Sequence, residues 1–270
     1  MKMEWQSLEV ARHGAVACVT LNRPRQANAL DATLWRELRE AMEWCDRSAD
    51  VRAVVLAGHG RHFCAGLDLA MLAGLSARIA DPCGGRQREK LLAEIEALQA
   101  SVNSLEACRK PVIAAVHGAC VGGGLDIALA ADIRYASEDA FFGVREVAMG
   151  MVADVGTLQR LPRVVGEGVA REWAYTGRDV TAAEAFAAKL VNRLAADRDA
   201  VVAAALDTAS QIAARSPLAV RGTKRVLNYS RDHGVRDGLA FVAQWNAAML
   251  LSEDLAAAAT ADRQAATFRD

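Results

Sequence analysis

The chain has 270 residues, 53% of them hydrophobic and only five of them proline, which suits one sizeable α/β core or a core with a helical appendage better than two unrelated domains. Its 32 basic and 33 acidic residues are spread along the sequence and leave a formal charge of -1, so neither nucleic acid nor a membrane surface is implied as a partner. The six cysteines (Cys18, Cys45, Cys64, Cys83, Cys108, Cys120) form no C-x-x-C pair, which points to reduced thiols and away from a cysteine metal site.

The opening stretch, MKMEWQSLEV, has neither a long apolar run nor an Arg/Ser-rich leader, and the closing TFRD is not a peroxisomal tripeptide, so a soluble cytoplasmic protein is the expectation. VACVTLN (residues 16–22) is rich in β-branched residues and predicts a strand. The polar turn NRPRQANALD then leads into an amphipathic helix from Ala32 to Cys45. VRAVVLAG (51–58) reads as a buried strand, followed by a loop containing HFCAGLDLAML. The Pro/Gly-rich DPCGGR (81–86) predicts a mobile turn before a long helix, Glu89 to Cys108, stopped by Pro111. PVIAAVHG is another buried strand; a glycine turn joins it to the helix LDIALAAD, and DIRYASEDAFFGV is read as one further extended segment. From Thr157 the text is mostly helical, Pro217 breaks the pattern, and the remainder forms two or three amphipathic helices that need a surface to pack on. A division into a core (1–205) and a C-terminal helical region (206–270) follows.

Three acids stand at fixed offsets after a triple glycine: Asp126 just beyond Gly122-Gly123-Gly124, then Glu146, then Asp154. They lie in apolar text, where unpaired charge is expensive to bury and carboxyls are suited to proton chemistry. The glycine turn and the loop Phe63-Cys64-Ala65-Gly66-Leu67-Asp68 each follow a buried strand, and each could present a backbone N–H to a carbonyl oxygen that gains charge. Each feature also has a purely structural explanation. The glycines could serve packing alone, Asp126 could cap its own helix, Glu146 could pair with Arg145, and Asp154 could hold a turn. Phosphate-loop, nucleophile-elbow and metal-binding patterns are missing around these residues and around the five histidines, so no metal is expected.

With these motifs in view, the chain resembles the crotonase (enoyl-CoA hydratase/isomerase) superfamily over nearly its full length, through NRPRQANAL, FCAGLDL, KPVIAAVHGACVGGGLDIALAADIRYAS and GTLQRLP. Where a hydratase has glycine this chain has Asp154, and the Asp126/Glu146/Asp154 set with ADVGTLQRLP resembles the dienoyl-CoA isomerase branch. The resemblance implies an α/β spiral of repeated ββα units with a C-terminal helical trimerisation region, and a homotrimer or pair of trimers. It also implies an acyl-CoA thioester substrate with no separate cofactor, and an oxyanion hole from the amides of Leu67 and Gly123.

On that resemblance the activity expected is isomerisation of 3,5-dienoyl-CoA to 2,4-dienoyl-CoA in the oxidation of unsaturated fatty acids. An enoyl-CoA hydratase and a non-catalytic acyl-CoA-binding relative are the alternatives. Two separated acid/base groups are needed, one at C2 and one at C6. The preferred order is Asp154 at C2 and Glu146 at C6, which the sequence does not settle, with Asp126 orienting its neighbour through a shared proton or hydrogen bond. Coenzyme A is expected beside Arg25, Ala27, Ala65, Gly66, Asp68 and Leu69, with Arg25 as a phosphate partner; Lys224 is a weaker candidate on a helix face that could equally be solvated. Leu69, Leu72, Phe142, Met149 and Met151 are candidates for an acyl tunnel or for ordinary core, and the segment Met71 to Gln87 for a lid.

Overall fold

The computed structural model describes residues 4–260 and 268–269. The ends of the two terminal stretches read above, residues 1–3, 267 and 270, lie outside the described residues. In chain order the elements begin with β1 (Leu8–His13), β2 (Val16–Leu21), α1 (Ala32–Arg47), β3 (Ala53–Gly58), α2 (Leu69–Ala73), α3 (Leu75–Arg78) and α4 (Gly84–Ala107). There follow β4 (Val112–Val116), β5 (Ala119–Val121), α5 (Gly123–Ala130), β6 (Ile133–Ser137), β7 (Phe141–Gly143), α6 (Thr157–Val165), α7 (Glu167–Thr176), β8 (Val180–Thr181), α8 (Ala182–Ala187) and β9 (Arg193–Ala195). The last elements are α9 (Arg198–Ala213), α10 (Pro217–Asp232), α11 (Val235–Met249) and α12 (Glu253–Thr260).

Six strands form one sheet in the order β1-β2-β3-β4-β6-β9, parallel throughout except for the β1-β2 hairpin. Because helices cover both faces, its central strands are apolar without alternation. In β3, Val54 and Leu56 enter the main core, whereas Ala53, Val55 and Ala57 meet α9 on the opposite face. Val201, Ala205, Ala209 and Ala213 recur every fourth residue along α9, so a stripe of small side chains lets that helix lie close to the sheet. The 205/206 division drawn on the sequence therefore falls inside a helix that belongs to the core.

A second, three-stranded sheet runs β5-β7-β8, and Cys64 adds an isolated bridge to Cys120. Successive turns of the chain place a long strand in the large sheet, a short one at the small sheet, and then a helix, as in β4-β5-α5. This is the repeated ββα winding expected from the resemblance. Four local readings change. β5 intervenes between the buried strand and the glycine turn, and the extended segment 132–144 splits into β6 and β7 around a turn in which Ala140 N donates to Ser137 O at 3.0 Å. Pro217 opens α10, where its missing N–H costs nothing and Ser216 Oγ accepts the Ala219 amide at 3.1 Å. The turn before α4 is tied by Asp81, whose carboxylate accepts from the Cys83 amide and from Arg86 and Lys90, and α4 starts five residues earlier than the sequence suggested.

Candidate active site

The two glycine-bearing loops meet at the end of the large sheet. Leu30 N donates to Gly66 O at 2.8 Å and Ala65 N to Ala27 O at 3.0 Å, so the loop 63–68 is stitched to the segment that precedes α1. Gly122 has φ +52 and ψ -126, a conformation that side-chain-bearing residues rarely adopt, and it aims the Gly123 amide, first in α5, away from its own helix. A Cβ built on Gly66 would stand 3.4 Å from that amide nitrogen, which shows how closely the loops approach. Among the described residues neither Leu67 N nor Gly123 N has a hydrogen-bond acceptor, and both residues line one cavity of about 420 Å³.

All three acids line the same cavity. Asp126, in the second half of the first turn of α5, is fully buried; its Oδ1 accepts the Thr157 amide at 2.6 Å and its Oδ2 has no partner. Burial is the main force on this carboxyl, reinforced by the nearby Glu146 charge and opposed by the Thr157 hydrogen bond, and it lifts the pKa to about 7. Glu146 begins a 3-10 turn, Glu146–Met149, which Gly150 ends in a left-handed conformation. It is half-buried, with a buried and unpartnered Oε2, and burial followed by the Asp154 charge raises its pKa. Its Oε1 lies 3.5 Å from the Cβ position of Gly122, beside the turn that presents the Gly123 amide. Asp154 is exposed in the single chain, in contrast to the buried acid implied by its apolar surroundings, because the flanking Val152 also faces outward.

Asp126 does not hydrogen-bond Glu146. Instead it caps a different helix, α6, at Thr157, and the two acids interact through space. Arg145 is engaged by Gly177 O at 2.6 Å and by Asp179, which leaves Glu146 without that neighbour as a partner. The rest of the cavity is largely apolar, from Trp35, Met71, Leu72 and Leu75 on one side to Leu91, Ile95 and Leu98 of α4 and Met151 on the other, with the Arg78–Glu94 ion pair (3.6 Å) as its charged exception. The Trp35 indole N–H is buried there with no partner among the described residues.

Lys224 is not a coenzyme A ligand. It is buried, with Nζ donating to Asp132 Oδ2 at 2.7 Å and to the carbonyls of Leu105 and Lys110 at 3.1 Å, so it pins α10 to the end of α4 and the start of β4. The Asp68 side chain caps α2 through the Ala70 amide and is bound by Arg23 Nη2 at 3.0 Å, which also meets Asp31 at 3.2 Å; the coenzyme A expectation at this loop concerns its backbone. Phe142 belongs to the core. Leu69 and Met149 are exposed by 65% and 44% and do not reach the cavity, whereas Leu72 and Met151 do. Arg25 and Ala65 are exposed, Ala27 is half-buried in a left-handed conformation, and the Arg25 guanidinium has no acidic partner among the described residues. The sequence reading missed Arg23, Trp35, Thr157 and the cavity-facing side of α4. For α4 a signal existed in the spacing of Leu91, Ile95 and Leu98.

Among the described residues no group of three His, Cys, Asp or Glu side chains is arranged to hold a metal, and no helix is long and apolar enough to cross a membrane.

Two free amides, three carboxyls of which burial raises the pKa of Asp126 and Glu146, and a largely apolar extension define a pocket suited to acyl chemistry. Comparison with known proteins narrows this: the Enoyl-CoA hydratase/isomerase family model matches residues 11–255, and the chain belongs to that family. It is 44% identical over 266 residues to the peroxisomal Δ3,5-Δ2,4-dienoyl-CoA isomerase of Arabidopsis thaliana, covering 97% of this chain and 96% of that protein. It is 47% identical over 241 residues to the mitochondrial enzyme of the same name from Homo sapiens, covering 88% and 73%. Among solved structures it resembles an enoyl-CoA hydratase from Bacillus anthracis, with TM-score 0.85, 31% identity and coverage of 94% and 95%, and one from Mycobacterium tuberculosis, with TM-score 0.84, 32% identity and coverage of 97% and 98%.

Proposed function

We propose that this protein isomerises 3,5-dienoyl-CoA thioesters to 2,4-dienoyl-CoA. The observation that carries this reading is the convergence of Asp126, Glu146 and Asp154 with the free amides of Leu67 and Gly123 on one apolar cavity. The likeness to dienoyl-CoA isomerases at 44% and 47% identity supports the same activity.

The thioester oxygen accepts from Leu67 N–H and Gly123 N–H. A base removes a proton from C2, and the electron pair moves into C1=C2 and onto the thioester oxygen; when that charge returns, C2=C3 forms, C3=C4 shifts to C4=C5, and the C5=C6 pair takes a proton at C6. The dienolate's charge rests on the oxygen, where each preorganised donor contributes about 3 kcal/mol. C2 is bonded to the carbonyl carbon, so the acid nearest the anion hole serves it. We assign that place to Glu146, whose Oε1 lies 3.5 Å from the Cβ position of Gly122, and burial makes it a better proton acceptor. Asp154 lines the cavity on the α4 side and, entering the cycle in its acid form, donates a proton at C6; proton exchange with Glu146 or solvent then resets the two acids. This order reverses the one preferred on sequence, because eight residues of separation say nothing about which acid borders the glycine turn. Asp126, with a pKa near neutrality, holds a proton in reserve and spares the cluster a third charge.

The reaction needs only side chains, amides and the thioester itself, so we propose no separate cofactor. Arg25, exposed and without an ion-pair partner among the described residues, is proposed as a phosphate partner of coenzyme A beside Ala65 and Ala27. We further propose a homotrimer or pair of trimers formed through the C-terminal helices, supported by the outward-facing Val235, Leu239 and Leu251. The six unpaired cysteines support a reducing compartment such as the cytoplasm.

The test is to supply a 3,5-dienoyl-CoA and a 2-enoyl-CoA separately in D2O. The proposal expects the conjugated 2,4-dienoyl absorbance to rise and no loss of the enoyl band. It further expects Glu146→Gln to abolish deuterium exchange at C2 of recovered substrate. Hydration of the enoyl thioester without isomerisation would overturn the activity, and C2 exchange that survives Glu146→Gln but not Asp154→Asn would overturn the order of the acids.

A further inference from the structure

The Asp154 carboxylate has no hydrogen-bonding partner among the described residues, so where it points depends on the backbone that carries it. That backbone is held from outside the cavity. Gln99, Asn103 and Glu106 follow one another at steps of four and three along α4 and share one face of the helix. Gln99 Nε2 donates to the Asp154 carbonyl oxygen at 2.7 Å.

Arg160 of α6 lies across Gly156, whose φ of +131 leaves room for it; a Cβ there would stand 1.7 Å from Arg160 Nη1. Nη1 also reaches the Val155 carbonyl oxygen at 3.5 Å. The guanidinium is in turn gripped by Glu106 at both ends, Nε to Oε1 at 3.1 Å and Nη2 to Oε2 at 2.7 Å, and by Asn103 Oδ1 at 2.7 Å. Arg231 of α10 completes the set on Glu106 Oε1 at 2.5 Å. These residues form the wall of a separate polar cleft of about 470 Å³, and Asp154 stands in the partition between that cleft and the acid cavity.

We propose that Gln99 is the positioning residue for Asp154, with Arg160 as the second support of the same loop. Nothing in the proton transfers uses Gln99, yet it fixes the peptide from which the acid projects. The same helix lines the acyl cavity one turn away with Leu98 and Ile95, so the acid and the acyl chain are registered to one rigid element. The effect on rate rests on the isomerase reading; the anchoring does not.

Gln99→Met keeps length and helix propensity while removing the donor. Two measurements are read together: dienoyl-CoA isomerisation, and deuterium uptake by the amides of residues 154–157. The proposal expects faster uptake and a kcat lowered about tenfold or more, the scale of a small misplacement of a reacting group, with KM within about twofold. In an Asp154→Asn background the same substitution should lower kcat by less than about twofold, because its target is already gone. Unchanged uptake overturns the proposal whatever the kinetics, as does faster uptake with kcat unaltered, or an equal loss of kcat in both backgrounds. Should the wild-type protein not isomerise dienoyl-CoA at all, the functional reading fails while the uptake measurement still decides the anchor.

Discussion

Asp126 Oδ1 accepts the amide of Thr157 at 2.6 Å, so an acid on α5 caps the first turn of α6, 31 residues further along the chain. One carboxyl thereby joins the catalytic cavity to the helix that follows Asp154. Its second oxygen, buried and unpartnered, faces the cost of that arrangement.

That cost predicts a pH-dependent stability. The folded-state pKa of Asp126 is raised to about 7, above the ordinary carboxylate range near 3.8, so between these values the folded protein binds more protons than the unfolded one. Stability from this group is complete below about pH 4, falls as pH rises towards 7, and stays low above it. Asp126→Asn, which can still accept from Thr157, should therefore be about as stable as wild type at pH 4 and more stable at pH 8, by on the order of a few kcal/mol. Denaturant unfolding at the two pH values measures it; an equal difference at both would show that Asp126 is not a buried, raised-pKa group.

At the anion hole, Gly122→Ala should cost strain of about 1–3 kcal/mol at a positive φ and swing the Gly123 amide out of line. Loss of one donor lowers kcat about 10²–10³-fold. A thermal melt and steady-state kinetics separate the two effects, and a variant with wild-type kcat would remove Gly123 from the hole.

Lys224→Met should destabilise without weakening substrate. It strips the ammonium from Asp132 Oδ2 and from two carbonyls. Breaking a buried pair costs about 3–5 kcal/mol, and the lower end applies because the Asp132 side chain is 26% exposed. A lowered unfolding midpoint with KM for the CoA thioester unchanged is the expected pair of results. A raised KM at full stability would return Lys224 to the coenzyme A site.

Much of the site could be read locally. The two loops stand out because glycine-bearing turns after buried strands coincide with acids in apolar text, where charge is conspicuous, although either feature alone could be structural. The misreadings share a cause. Lys224 looked like a surface cation until α10 was placed against Asp132, 92 residues away. The Asp68 side chain gave no sign that Arg23, 45 residues earlier, holds it. Gln99 carried no signal at all, since its partner is a backbone carbonyl 55 residues downstream.

The sequence by itself determined the central strands β2, β3 and β4, the principal helices, the glycine loops and the identity of the three carboxyls, because these depend on side-chain periodicity and on backbone freedom within a few residues. Only the tertiary structure decided that Asp126 caps α6, that Glu146 borders the anion hole while Asp154 faces α4, and that the acyl cavity is walled by that helix. Those relations are distances between segments far apart in the chain, and they are set by how the ββα turns stack on one another.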